Sequence, residues 1–315
     1  MTTTMSTRTD TGTRPRAVKR PARMLARPWE SLTALGMVSP AVFLLLLFFV
    51  IPVTLAFALA FTNARLVSPT PAHFTGLQNF RTLLHDPLFY KSLRNTFYFA
   101  AVVVPVQGGL ALVLALLVNG KVRGVNFFRT VYFIPVVTSM VVVSILWTFM
   151  YRQTGLINHL ISGFTFGHVH GPDWLNNPST AMPAIIFMSV WQGVGFHMII
   201  WLAGLQTVPA DLYEAADIDG AGRWARFLYV TWPGLRATRT FVFITITIAA
   251  FSLFTQVSVM TQGGPLDSTT TVVYQAVQTG YAQQQTSYAS AISLAFFVLV
   301  LTVSLVQRFL TRERD

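Results

Sequence analysis

Six apolar runs, near residues 37–61, 97–118, 131–151, 182–203, 241–260 and 289–306, alternate with polar segments along the chain. Each is long enough to cross a hydrocarbon core about 30 Å thick, which takes roughly 20 helical residues. The pattern predicts an all-α membrane protein with six transmembrane helices. Pro52, Pro105 and Pro135 fall inside three of the runs, but in a bundle neighbouring helices satisfy the backbone groups that a proline frees. One polar segment stands apart. Residues 209–233, PADLYEAADIDGAGRWARFLYVTWP, read as a helix over 210–218, an exit at Asp219-Gly220, and a second helix from about Gly222 that Pro233 ends. In the second helix Trp224, Phe227, Leu228 and Thr231 repeat at helical spacing. The expectation is a helix–turn–helix elbow between the fourth and fifth spans. From periodicity alone, a plain connector explains it equally well.

Composition agrees with a membrane: 53% of residues are hydrophobic and 10% charged, against about 25% charged in soluble domains. Cysteine is absent, so disulfides and thiolate metal sites are excluded. The net charge of +11 invites a nucleic-acid reading, but the distribution of the basic residues argues otherwise. Only Arg65, Arg81, Lys91, Arg94 and Arg152 fall in one set of alternate segments; the other 17 of 22 lie in the opposite set and at both ends. That asymmetry predicts cytoplasmic N- and C-termini and removes the need for a nucleic-acid partner.

Residues 1–30 are rich in Thr, Arg and Pro and are expected to form a disordered cytoplasmic tail. Arg14, Arg16, Lys19, Arg20, Arg23 and Arg27 would hold it near anionic lipid headgroups; a regulatory arm is the functional alternative. The first apolar run exceeds a signal-peptide core of about 7–15 residues, so an uncleaved span is expected. Residues 31–315 would form the transmembrane domain. In the first outside loop, residues 80–93 read as an amphipathic stretch along the membrane surface. Residues 119–124 form a tight cationic inside turn. The second outside loop carries His168 and His170 without a nearby third ligand, and reads as solvated rather than metal-binding. The last carries Gln262-Gly263-Gly264-Pro265 and then Ser268 and three threonines, a turn at the outer mouth.

No Asp, Glu, Lys or Arg lies within the six runs, and His197 is their one side chain of a type that titrates near neutral pH. Ion-coupled carriers need coupling groups at depth. A membrane-embedded enzyme would need a clustered base, nucleophile or metal set there. The only Gly-Lys, Gly120-Lys121, is followed by Val, so a phosphate-cradling loop is missing. Uphill transport would therefore draw on a partner. Candidate solute contacts in the spans are Gln256, Gln192 and His197, ranked above the aromatics Trp191 and Phe254 (with Phe251 and Thr255 beside it). An intramembrane amide usually faces a cavity or a partner helix, whereas an aromatic is more often packing.

Glu214-Ala215-Ala216-Asp217-Ile218-Asp219-Gly220-Ala221, with Phe227 and Pro233 downstream, resembles the EAA loop of ABC importer permeases. Residues 202–206, LAGLQ, Gln262-Gly263-Gly264-Pro265, Pro40, and Gly76-Leu77-Gln78-Asn79-Phe80 resemble the carbohydrate-uptake branch, the maltose and glycerol-3-phosphate type, and specifically the first permease of the pair. The likeness covers roughly residues 39–309. Trp232 stands where Leu is usual, and Ala237 where a second Pro is. The resemblance implies the ABC importer permease fold, with a coupling loop over about 204–239. Glu214, Ala215, Ala216, Asp219, Gly220 and Pro233 would engage an ATPase. A second permease, two ATPase subunits carrying ATP and Mg, and an extracytoplasmic solute-binding protein would be the partners. This chain would bind no cofactor and hydrolyse no nucleotide. A bacterial or archaeal cell membrane is implied, and a sugar or polyol as solute. The competing expectation is an ion-coupled carrier or channel independent of an ATPase.

Overall fold

A computed structural model describes residues 28–67, 71–120, 124–168 and 171–311. Most of the expected tail, Lys121, Arg123, His170 and residues 312–315 lie outside the described residues. Among the described residues regular structure is helical, apart from one isolated antiparallel bridge, Thr62 to Phe74.

The chain divides into two units at Val53. The first holds helix α1 (Pro28–Leu45), a π-turn over Leu46–Val50 and the start of α2 (Ile51–Leu59). Its side chains from Gly36 to Phe49 are all exposed, as a helix bathed in hydrocarbon would be.

The second unit begins in α2 and continues through α3 (Gln78–Leu83) and α4 (Pro87–Asn119). Asp86 caps α4 by accepting from the Leu88 N–H at 2.9 Å, and Pro87 takes the first helical position. The expected surface-lying stretch over 80–93 is therefore two things: the end of α3 and the first turns of the second span. At 33 residues α4 is about 50 Å long, well beyond the hydrocarbon thickness, so its polar start needs no separate helix.

The third apolar run does not form one straight span. α5 (Val125–Val137) and α6 (Met140–Met150) meet at a 97° bend. Pro135 removes a ladder hydrogen bond near the end of α5, and Thr138 and Ser139 leave helical backbone. Helix α7 (Leu156–Phe164) follows, then α8 (Ala181–Thr207), the elbow helices α9 (Ala210–Ile218), α10 (Arg223–Arg226) and α11 (Trp232–Gly234), and the fifth span. That span is also interrupted: α12 (Arg236–Phe251) and α13 (Thr255–Met260) are separated at 252–254. The Leu253 carbonyl freed there accepts from Thr271 Oγ1 at 2.8 Å. Helices α14 (Val272–Val277) and α15 (Thr286–Thr311) complete the chain.

The core is built around α8. Of its apolar window 61% is buried, against 39% for α4 and 22% for α15, which makes α8 the central helix. It packs beside α4, to which the Trp201 Nε1 bond to the Gly108 carbonyl at 3.1 Å ties it. At Gly195 the α5 backbone comes so close that a Cβ would lie 1.9 Å from the Tyr132 carbonyl oxygen. The turn over residues 262–267 is tied to α4 from the side. Asn95 Nδ2 donates to the carbonyls of Asp267 and Thr270, both at 2.9 Å, and Lys91 reaches the Leu266 carbonyl. Thr269, Thr270 and Thr271 are buried and bond back into the same turn and the helix break. These bonds hold Gln262, Leu266 and Asp267 at positive φ, a region that non-glycine residues rarely enter.

Candidate functional site

Two regions carry the residues singled out by sequence: the elbow at one end of the bundle, and a cavity at depth.

The first elbow arm, α9, ends in a two-bond exit. The Gly220 N–H bonds to the Asp217 carbonyl at 3.1 Å and the Ala221 N–H to the Ala216 carbonyl at 2.9 Å. Gly220 sits at φ +72°, where a Cβ would be strained. The second arm starts at Gly222 and widens into a π-turn over Phe227–Thr231 before α11. Sequence placed the end of this arm at Pro233. The helix instead runs through Pro233 to Gly234, because the π-turn shifts the Trp232 N–H onto the Phe227 carbonyl and relieves the ladder ahead of the proline ring.

Cross-links make the elbow one piece. Arg226 and Asp217 form an ion pair between the arms, and Tyr213 Oη lies 3.0 Å from Thr231 Oγ1. Trp232, which stands in place of the usual Leu, packs on Phe227 at 6.0 Å and under the Arg239 guanidinium at 4.6 Å. The roots of the elbow are tight. A Cβ on Gly204 would lie 2.3 Å from Thr238 Oγ1, one on Gly234 3.0 Å from a Val208 methyl, and Leu235 between them is fully buried. By contrast Glu214, Ala215, Asp219, Gly220 and Pro233 are exposed and Ala216 is half-buried. Ile218, Trp224 and Tyr229 add apolar surface, at 87%, 73% and 76% exposure. The elbow thus joins α8 to α12 through a cross-linked, closely packed connection and shows a mixed acidic and apolar face.

The cavity, about 220 Å³, lies beside the bend of α5–α6 and the break between α12 and α13. Gln192, His197 and Gln256, the three polar residues ranked first by sequence, all line it. Trp191 does not. It is half exposed and packs on Trp147 at 5.3 Å, facing a separate apolar recess beside α5 and α6. Phe254 packs on Tyr274 at 6.2 Å, and Phe251 is buried between Phe97 and Phe296. Gln192 Nε2 bonds to the Pro135 carbonyl at 3.4 Å, one of the acceptors that the bend in α5 leaves open.

Among the cavity residues that the sequence did not single out are Gln107, Ser189 and Gly193. Gln107 is buried on α4, with Nε2 2.9 Å from Nδ1 of His197. Its signal was present, an amide inside an apolar run, but in the second span rather than the fourth or fifth. Ser189 is buried and its hydroxyl has no hydrogen-bond partner among the described residues. Neither it nor Gly193 carries a signal in an apolar helix. None of the lining residues is acidic, lysine or arginine. No group of three metal-ligating side chains occurs among the described residues.

Comparison with known proteins places this architecture. Residues 107–314 match the family described as the binding-protein-dependent transport system inner membrane component. The lactose transport system permease protein LacF of Rhizobium radiobacter is 35% identical over 88% of this chain and 93% of its own length. The arabinooligosaccharides transport system permease protein AraP of Bacillus subtilis is 33% identical over 85% of each. The sn-glycerol-3-phosphate transport system permease protein UgpA of Yersinia enterocolitica is 31% identical over 77% of this chain and 82% of its own. The fold is shared with a chain of a bacterial ABC transporter that imports the acidic polysaccharide alginate, at a TM-score of 0.77, 22% identity, and coverage of 91% and 98%. With its apolar helices, interrupted spans and extended match, the chain belongs to the binding-protein-dependent inner membrane components, the permease subunits of ABC importers.

Proposed function

We propose that this permease serves a sugar or sugar-like solute. It would pair with a second permease to form the path, two ATPase subunits would carry ATP and Mg, and an extracytoplasmic binding protein would deliver the solute. The chain itself binds no nucleotide or cofactor. On this reading the elbow and both chain termini face the cytoplasm. The observation that carries the proposal is the cross-linked, closely packed connection of the elbow to α8 and α12, two helices that line the cavity. A pull on the elbow would reach the cavity walls through the packed roots at Gly204–Thr238 and Gly234–Val208.

The roles follow from exposure and size. Glu214 offers a charged contact to the ATPase, and Ala215 and Ala216 allow its surface close to the α9 backbone. Asp219 and Gly220 set the turn, and Pro233 lies on the return arm. The exposed Ile218, Trp224 and Tyr229 would supply the apolar part of the interface. In the cavity, amide, imidazole and hydroxyl groups replace the hydration that a sugar loses. The names of the relatives, which concern lactose, arabinooligosaccharides and glycerol phosphate, support a saccharide or polyol. The absence of Lys and Arg from the cavity lining favours an uncharged one.

The test is purification of the tagged chain from its native membrane with partners identified by mass spectrometry, beside the Glu214→Lys variant. A second permease and an ATPase should accompany the wild type. The ATPase should fall about tenfold or more in the variant, the effect of losing about 1.4 kcal/mol at the interface. A chain that purifies alone and transports solute in vesicles without ATP would establish the ion-coupled carrier instead.

A further inference from the structure

The cavity face of α8 carries Ser189, Gly193 and His197, spaced so that they stack one turn above another. Each is placed for a different reason. The Ser189 hydroxyl is buried without a partner. His197 is 5% exposed, and two groups lie within hydrogen-bond distance of its Nδ1, the Gln107 amide and the Gly193 carbonyl. Gly193 makes room for the first of these: a Cβ there would lie 2.6 Å from Gln107 Nε2. A larger residue at 193 would push the amide off the ring.

The direction of the Gln107 bond matters. An amide NH2 only donates, so it makes Nδ1 the acceptor and leaves the ring proton on Nε2. The Gly193 carbonyl, 3.1 Å from the same nitrogen, would favour the opposite tautomer. It is already an acceptor in the backbone ladder of α8, and the Gln107 contact is shorter at 2.9 Å. Nε2, at the far end of the ring, has no partner among the described residues.

We propose that Gln107 is a positioning residue, admitted by Gly193, that fixes the neutral His197 ring with its Nε2–H presented to the cavity as a donor for a hydroxyl oxygen of an uncharged solute. Ser189, two turns away along α8, is the second open group on that face. The inference rests on the importer reading for the solute but not for the ring.

The experiment uses the permease in its native complex, labelled with nitrogen-isotope histidine, and reads the tautomer of His197 by NMR, with His197→Gln identifying its signals. The wild type should show protonated Nε2 and bare Nδ1. Gln107→Glu, which as a carboxylate only accepts, should place a proton on Nδ1, and Gln107→Leu and Gly193→Ala should both release the ring to a mixture. A wild-type ring protonated at Nδ1, or a tautomer unchanged in Gln107→Leu, would overturn the proposal, and the wild-type spectrum decides even if a variant does not assemble. Vesicle uptake of radiolabelled lactose, maltose and glycerol separates the two readings. No uptake by the wild type under ATP would count against the importer reading while leaving the ring result standing. Where the wild type does take up one of these probes, Gln107→Leu and His197→Leu should raise KM about tenfold with a smaller change in kcat. His197→Gln, which restores a donor near the Nε2 position, should recover most of the loss; equal KM in all variants would overturn the solute-donor role.

Discussion

At Gly195 the distance between two helices is set by a missing methyl group. The Tyr132 carbonyl of α5 occupies the space where a Cβ would be, and because the obstacle is backbone it cannot rotate away. Gly195→Ala should therefore push α5 from α8 and cost about 1–3 kcal/mol, the usual range for overpacking. Its mark would be a lower unfolding midpoint of the detergent-solubilised chain; an unchanged midpoint would mean that the two helices are not this close. Gly220 poses a backbone problem instead. Gly220→Val would force a β-branched residue to φ +72°, at about 1–2 kcal/mol, and loosen the exit of α9 without touching the bundle. The two glycines also differ in how readable they were. Asp219-Gly220 stood at the end of a polar helix, where a left-handed exit is expected. Gly195 and Gly193 sit in a run of apolar and small residues, and the need for a bare backbone comes from Tyr132 and Gln107, far away in sequence.

The elements show where local pattern and tertiary contact part company. Six apolar runs were legible because hydrocarbon thickness imposes length, and α9 was legible because its bounds are set by a proline, an acidic first turn and a glycine. The breaks in the third and fifth runs were not. Only short hydroxyl side chains, Thr138-Ser139 and Ser252, mark the breaks, and helices accommodate those readily; the carbonyl partners, Gln192 for Pro135 and Thr271 for Leu253, show how the chain leaves the helix there. The turn over 262–267 depends on similar distant help. Asn95 holds the Asp267 carbonyl at its end and the Thr270 carbonyl just beyond it, so Asn95→Leu should leave both without their donor, at about 1–3 kcal/mol each if they stay buried. Because the chain has no cysteine, a single Thr270→Cys reporter gives a clean reading. Thr270 is 4% exposed, and its thiol should label at least about tenfold faster when Asn95→Leu is added. Equal rates would place the anchoring of this turn elsewhere.

At the scale of the whole second unit, the elbow and the cavity share α8 and α12. The elbow is cross-braced by Arg226–Asp217 and Tyr213–Thr231, and its roots are packed at Gly204–Thr238 and Gly234–Val208. Packed interfaces of this kind switch between arrangements rather than deform continuously. A force applied at Glu214 and Ala215 should therefore appear as a change of access at Ser189. The most direct measurement is the thiol-labelling rate of Ser189→Cys in the assembled complex in native membranes, with and without ATP, Mg and a phosphate-mimicking trap. The account predicts a change of about tenfold or more on trapping, and its loss when Glu214→Lys is added. The same labelling rate in every state, or a nucleotide response that survives Glu214→Lys, would contradict it.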